Sequence, residues 1–249
     1  MTPWLVRPRP RPGARLGLYC LPSAGGGAGL FRAWPPLLPD DVEVCAVQLP
    51  GRDARRAEPP FTRLTPLVLA LADALASELD RPYALYGHSV GARIAFELAR
   101  EQRRRGRPGP ELLVVSGRRP PHTPDRDPLH SLGDQQLIAR LSRIGGTPEP
   151  VLREPELMAL FLPTVRADLA VNELEDHRDE PPLACPILAY AGSHDDRCRP
   201  DELDAWRDHT AGAFAREVLP GAHFFIQSAA PALLSSLSRA LRSSAPAKG

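Results

Sequence analysis

Lysine is almost missing from this chain: of 31 Lys and Arg residues, only Lys248 is a lysine. No G-K-[ST] phosphate loop can therefore be drawn, which excludes Walker-type nucleotide chemistry. The arginine excess, set beside many alanines and prolines, reads as genomic bias. Net charge is scarce as well, at +1 near neutral pH, and gives nucleic acid no electrostatic reason to bind. Cysteine is limited to Cys20, Cys45, Cys185 and Cys198, with no pair at metal-ligand spacing. Neither a metal nor a cofactor is expected. No apolar run approaches the about 20 residues that span a bilayer. The opening "MTPWLVRPRPRPGARLG" has Pro and Arg where a signal peptide is apolar. No membrane association and a cytoplasmic location are expected, where disulfides are rare. The cysteines are read as small hydrophobes.

What is present is strand–helix alternation. "RLGLYCLP" (15–22), "VEVCAVQLP" (42–50), "YALYGHS" (83–89), "ELLVVSG" (111–117) and "PILAYAGS" (186–193) are short runs, apolar on both faces, as buried parallel strands are. "FAREVL" (214–219) alternates more weakly and suits an edge strand. Between them, Leu67, Leu71, Leu75 and Leu79 draw one apolar stripe within a helix predicted over 64–79. Further helices are predicted over 90–105 and 224–241. The pattern predicts a single α/β domain over residues 1–249, a mostly parallel central sheet covered by helices on both sides. The Pro/Arg-rich start and the polar tail after Arg242 are expected to fray.

Residues 120–182 break the alternation. A proline-rich loop is followed by three helical candidates, 134–144, 155–162 and 164–175. An all-helical insertion after a strand end falls on the sheet edge where α/β sites form, and is read as a lid. Its apolar cluster Leu157, Leu160, Phe161, Val165 and Leu169 is expected to line the substrate path, against the alternative that it packs the lid onto the body.

The chemistry centres on "YGHSVG". A serine hydroxyl becomes nucleophilic only with a base beside it and open access. A tight strand-to-helix turn lifts Ser89 out of the sheet, and needs small residues two before and two after it, here Gly87 and Gly91. This is the G-x-S-x-G nucleophile elbow of α/β-hydrolases. The helix behind it offers unpaired N–H groups and a positive end to an oxyanion. In this fold the acid and then the histidine follow the serine. His223, in "LPGAHFF" after the last strand, is the base by position. "PILAYAGSHDD" supplies two acids just beyond a strand, Asp195 and Asp196, and on these grounds either serves. A second oxyanion donor fits the glycine-rich "LPSAGGGAGLF" (21–31), whose backbone can approach a substrate closely.

Taken in order, "LPSAGGGAGLFRAW", "VQLPGRDARRAEPP", "LYGHSVGARIAFELAR", "PELMALFLPTVRAD", "CPILAYAGSHDD" and "LPGAHFF" resemble the stand-alone type II thioesterases that accompany nonribosomal peptide and polyketide synthases. The resemblance implies Ser89 as nucleophile, His223 as base and Asp195, at the family's G-x-x-D position, as acid. The N–H groups of Ala24 and Val90 would form the oxyanion hole. The implied activity is hydrolysis of stalled or wrongly loaded acyl groups from the phosphopantetheine arm of acyl- or peptidyl-carrier protein domains, with a monomer expected. A general carboxylesterase or acyltransferase with the same residues is the alternative, and a non-catalytic module on this scaffold a third reading. Carrier proteins are acidic, so a basic rim is also predicted. Arg118 and Arg119, together with Arg52, Arg55, Arg56, Arg197 and Arg199, follow strand ends at the site edge, although Asp53, Glu58, Asp125 and Asp127 share those loops.

Overall fold

The computed structural model describes residues 2–123, 127–147, 149–174 and 177–243. Among the described residues seven strands form one sheet: β1 (Leu5–Val6), β2 (Leu16–Leu21), β3 (Val42–Val47), β4 (Tyr83–His88), β5 (Leu112–Ser116), β6 (Ile187–Gly192) and β7 (Phe214–Leu219). Their order is β1-β3-β2-β4-β5-β6-β7. Every neighbouring pair is parallel except β1 with β3. Strands β2 to β6 are buried along their whole length, which is why their sequences lack a polar face. β7 leaves half its residues in solvent, as an edge strand does.

The helices are α1 (Leu64–Ala74), α2 (Val90–Arg104), α3 (Asp134–Ile144), α4 (Glu149–Leu152), α5 (Pro155–Glu173), α6 (Phe225–Ser228) and α7 (Ala230–Ser243). α1 and α2 press Leu67, Leu71, Ile94 and Leu98 onto one face of the sheet, against Tyr19, Leu21, Leu85 and Val115. The opposite face packs Leu18, Tyr86 and Val114 against Phe31, Trp34 and the Leu233–Leu237–Leu241 stripe of α7. Alternate residues of each strand thus feed two separate cores. α3, α4 and α5 lie between β5 and β6 and share a third cluster built on Leu129, Leu137, Met158, Leu162, Val165 and Leu169. Among the described residues no helix is long and apolar enough to cross a membrane.

Four expectations need correction. The N-terminal segment is not frayed. β1 pairs with β3, Gln48 N–H donates to the Trp4 carbonyl at 2.8 Å, and Arg7 bridges Glu43 and Glu78. Its arginines tie it down. α1 stops at Ala74, although Leu75 and Leu79 remain buried. The last helix is two pieces, α6 and α7, with Pro231 in the first turn of the second. The predicted helices 155–162 and 164–175 are one helix, α5, running through Pro163. An internal proline removes one hydrogen bond, but Leu162, Val165 and Leu169 bury a continuous face on both sides of it, and packing prevails. Glu175, at the predicted end of that helix, and Asp125 of the rim loops lie outside the described residues, as does the tail from 244 on.

Candidate active site

β4 ends at His88, and α2 begins at Val90 with Ser89 as its N-cap. Ser89 is held at φ 56°, ψ −118°, in the left-handed half of the map that a residue with a Cβ rarely enters. Such strain persists only where the surroundings over-determine it, and here they do. The Ser89 N–H donates to the Ser116 carbonyl on β5 at 2.7 Å. A Cβ on Gly87 would overlap the Gly91 carbonyl, and one on Gly91 would overlap the Leu21 and Pro22 carbonyls at the end of β2. Both glycines are required by backbone packed on backbone.

His223 lies between Ser89 and Asp195. Its Nε2 is 3.1 Å from Ser89 Oγ, and its Nδ1 is 2.9 Å and 3.1 Å from the two oxygens of Asp195. Asp195 and His223 are buried, and Ser89 is partly exposed. Asp195 Oδ1 also accepts the Arg197 N–H at 2.8 Å and the Cys198 N–H at 3.1 Å, so the carboxylate is fixed from two sides. The loops after β6 and β7 are zipped together. Ser193 N–H donates to the Leu219 carbonyl and His194 N–H to that of Gly221, while Gly192 lets the two backbones touch, since a Cβ there would sit 2.5 Å from both the Gly221 and Ala222 carbonyls. Asp196, the competing acid, is exposed, and it is Asp195 that pairs with His223. Two rings pack against that of His223: Phe224 at 5.3 Å and His88 at 5.2 Å, the latter with its Nδ1 3.0 Å from Ser116 Oγ. Burial, and then the adjacent His223, push the pKa of His88 well below the ordinary histidine range, so this ring stays neutral.

These side chains open onto a cavity of about 320 Å³. Ser23, Ala24, Gly25 and Gly26 of the loop after β2 line it together with Ser89, Val90 and His223. Most of the remaining lining is apolar, with Leu129, Leu141, Ile144, Val151, Phe161, Val165 and Leu169 from the segment between β5 and β6 and Leu30 and Phe224 from the body, while Arg118, Asn172, Arg197 and Gln227 add polar groups. The chamber suits an acyl group whose reacting carbonyl lies at the polar end.

Two groups of expected site residues differ from the sequence reading, one in position and one in exposure. Leu157 and Leu160 do not line the cavity. They are 47% and 79% exposed, because their side of α5 faces solvent while Phe161, Val165 and Leu169 face the cavity. Arg118 and Arg119 do stand beside the site, the first in the cavity wall and the second in an adjoining pocket with His223, but they are not a solvent-facing rim. Both are buried, the Arg118 carbonyl accepts the Trp206 indole N–H at 2.8 Å, and Arg119 lies 3.9 Å from Glu202. Arg52 and Arg55 are buried too, the first against Asp168 and the second against Glu58 and over the Trp4 ring. Of the seven arginines only Arg56 and Arg199 are exposed, with Arg197 half-buried. A guanidinium after a strand end has carboxylates and carbonyls within reach in the fold, and pairs with them. Asp168 is the residue the sequence reading missed. Its signal was present: a carboxylate on the same helical face as Phe161, Val165 and Leu169.

The chain matches the thioesterase domain family over residues 17–241. It is 41% identical to the gramicidin S biosynthesis protein GrsT of Aneurinibacillus migulanus, over 90% of this chain and 88% of that one. RedJ, the thioesterase of the prodiginine pathway in Streptomyces coelicolor, superposes with a TM-score of 0.88 at 40% identity, covering 94% and 88% of the two chains. YbtT, a type II thioesterase from the yersiniabactin NRPS/PKS pathway, does so with 0.87 at 33% identity, covering 97% and 99%. The fold is that of the α/β-hydrolases.

Proposed function

The chain belongs to the thioesterase domain family and is a hydrolase of acyl thioesters; from that premise we propose that it edits a nonribosomal peptide or polyketide synthase. In this reading it releases acyl groups from the phosphopantetheine arm of carrier proteins. The observation that carries the mechanism is His223 bridging Ser89 Oγ and the Asp195 carboxylate at the mouth of an apolar cavity. The relatives carry the pathway: similarity to GrsT, RedJ and YbtT supports work beside an assembly line.

The steps follow from the groups present. His223 Nε2 takes the Ser89 proton as Oγ bonds to the thioester carbonyl carbon, and the carbonyl π pair moves onto oxygen. Asp195 keeps the other ring nitrogen protonated and stabilises the imidazolium. The Ala24 and Val90 N–H groups receive the oxyanion, each worth about 3–4 kcal/mol when such a donor is removed. The tetrahedral species collapses, the C–S bond breaks, and the pantetheine thiolate leaves with the proton from His223. Water, deprotonated by the same nitrogen, then cleaves the acyl-serine and frees the carboxylic acid. The acyl group occupies the chamber walled by Phe161, Val165 and Leu169.

The test is hydrolysis of acyl-carrier protein against free esters and small acyl-thioesters. A higher kcat/KM on acyl-carrier protein supports the reading. Better turnover of free esters, or acyl transfer to an added acceptor exceeding hydrolysis, would replace it with a carboxylesterase or an acyltransferase. Ser89→Ala is expected to remain folded and to lose turnover by about 10⁴-fold or more.

A further inference from the structure

The loop that carries Ala24 has little of its own to hold it. Gly25, Gly26 and Gly27 present no side chains, and glycine backbone is the most costly to immobilise. An oxyanion donor helps only if it is aimed before the charge develops. Something outside the loop must aim it.

We propose that the buried Arg52–Asp168 ion pair is the positioning device of the oxyanion hole, fixing the Ala24 amide from the cap helix; this rests on the role given above to Ala24. The pair is bidentate, with Arg52 Nη1 to Asp168 Oδ2 and Arg52 Nη2 to Asp168 Oδ1 both at 2.7 Å. Its two side chains are 7% and 5% exposed. Neither partner touches the catalytic side chains. Both reach the glycine loop instead. Asp168 Oδ2 accepts the Gly25 N–H at 2.8 Å, and Arg52 Nη1 donates to the Gly26 carbonyl at 2.9 Å. The peptide unit after Ala24 and the one after Gly26 are therefore each held by one half of the pair. A local turn, Gly26 N–H to the Ser23 carbonyl at 2.9 Å, closes the loop between them.

The surroundings leave this arrangement no slack. Gly25 is at φ +68°, and a Cβ on it would stand 2.6 Å from the Phe161 ring and 2.7 Å from Val165. Thr164 Oγ1 donates to the Gly51 carbonyl at 2.9 Å, in the loop after β3 that also bears Arg52. Phe161, Thr164, Val165 and Asp168 share one face of α5, at the three- and four-residue spacing of a helix. That face meets the glycine loops after both β2 and β3. A bare stability role would not require it: replacing a buried ion pair by apolar side chains is often neutral. What apolar side chains cannot supply is an acceptor at Gly25 N–H and a donor at the Gly26 carbonyl.

The test uses Asp168→Asn, Arg52→Lys and the charge-free pair Arg52→Gln with Asp168→Asn. Each is checked for folding by near-ultraviolet circular dichroism and assayed well below its melting temperature. The expected result for Asp168→Asn is a fall in kcat of about 10- to 100-fold, less than outright removal of an oxyanion donor, with KM within about threefold. Affinity for an alkylboronic acid, whose Ser89 adduct presents an anionic oxygen to the hole, should fall in parallel. Affinity for the uncleavable amide analogue of the substrate should not. Amide hydrogen exchange should quicken in residues 22–28 and not in residues 86–93. If Asp168→Asn does not fold, Arg52→Lys and the charge-free pair carry the same comparison. A folded variant with lower melting temperature but wild-type kcat and boronate affinity would reduce the pair to a structural one and overturn the proposal. Ser89→Ala separates the two readings. Retained turnover there takes down both the catalytic assignment and the clamp, whereas an inactive Ser89→Ala beside a fully active Asp168→Asn takes down the clamp alone.

Discussion

On the sheet side of the cavity Ser89, Asp195 and His223 sit on backbone with no alternative course, whereas on the cap side Phe161, Val165 and Leu169 hang from a helix that the sheet does not require. The first wall is made by main chain against main chain. Gly87, Gly91 and Gly192 each stand where a Cβ would strike a carbonyl of a neighbouring segment, and strand register sets the spacing between the loops. The second wall is made by side chains: an apolar cluster, one buried ion pair and a few hydrogen bonds. Main-chain packing tolerates almost no substitution, while an apolar face tolerates any set of similar volume. The reacting groups therefore stand on the rigid wall, and the part that meets a variable acyl chain stands on the adjustable one.

The contrast breaks most visibly at the acid. Asp195→Asn is expected to lower kcat by about 10⁴-fold, because the amide turns the imidazole to the wrong tautomer, while Asp196→Asn should leave kcat within about twofold. Steady-state kinetics on one acyl-thioester decides it, and an equal loss at both positions would mean that the whole loop, not the buried carboxylate, is what matters. Next in size is Gly91→Ala. The added methyl must push α2 away from the end of β2, so a loss of about 3 kcal/mol in stability and of most activity is expected from denaturant unfolding and turnover together. A fully active, fully stable Gly91→Ala would show that the elbow is less constrained than its backbone contacts imply.

Smaller effects belong to the cap. Phe161→Ala enlarges the chamber, so kcat/KM should shift toward longer acyl chains, by about fourfold for each methylene accepted at ~0.8 kcal/mol per CH₂. Leu160→Ala, one residue away but facing solvent, should change neither chain-length preference nor melting temperature. If both variants behave alike, α5 only packs the cap onto the body.

The same division explains what could be read in advance. The elbow, the order of acid and base and the buried strands follow from rules with a fixed period or a steric necessity, and those residues stand where the sequence reading put them. The cap does not follow such rules. A run of apolar residues on a helix says that some face is buried, but which face depends on what lies opposite, so Leu157 and Leu160 were grouped with Phe161 although they point outward. The two helical candidates 155–162 and 164–175 fuse for the same reason, since the packing on both sides of Pro163 overrides the local chemistry. The arginines failed differently. Arg52, Arg118 and Arg119 read as surface charge because the groups that bury them, Asp168, Glu202 and Trp206 among them, lie far along the chain, and Arg55 because Glu58, three residues on, pairs with it only once the loop is folded.

The smallest expected effect is on acid stability, at the base of the cap. His122 leads into the segment between β5 and β6, His177 leads out of it, and His209 ends the helical turn that follows β6. His122 Nδ1 is 2.7 Å from His209 Nε2, and the His177 and His209 rings are 5.2 Å apart. Phe96 of α2 packs against both of the latter. Burial, and then the neighbouring His122 and His177, bring the His209 pKa down to about 4, and burial with the adjacent Arg100 lowers that of His177. Asp208 and Asp179 oppose these shifts more weakly. In the unfolded chain each imidazole titrates near ~6.5. Between that value and about 4 the unfolded state therefore binds more protons than the folded one, and folding weakens as pH falls through the window. Above pH 7 these groups add no pH dependence. His209→Gln, which keeps a polar partner for His122 but cannot be protonated, should flatten the fall in melting temperature between pH 6.5 and 4.5. An unchanged slope in that variant would move the acid sensitivity away from the cap's base and onto the carboxylates paired with arginine elsewhere in the fold.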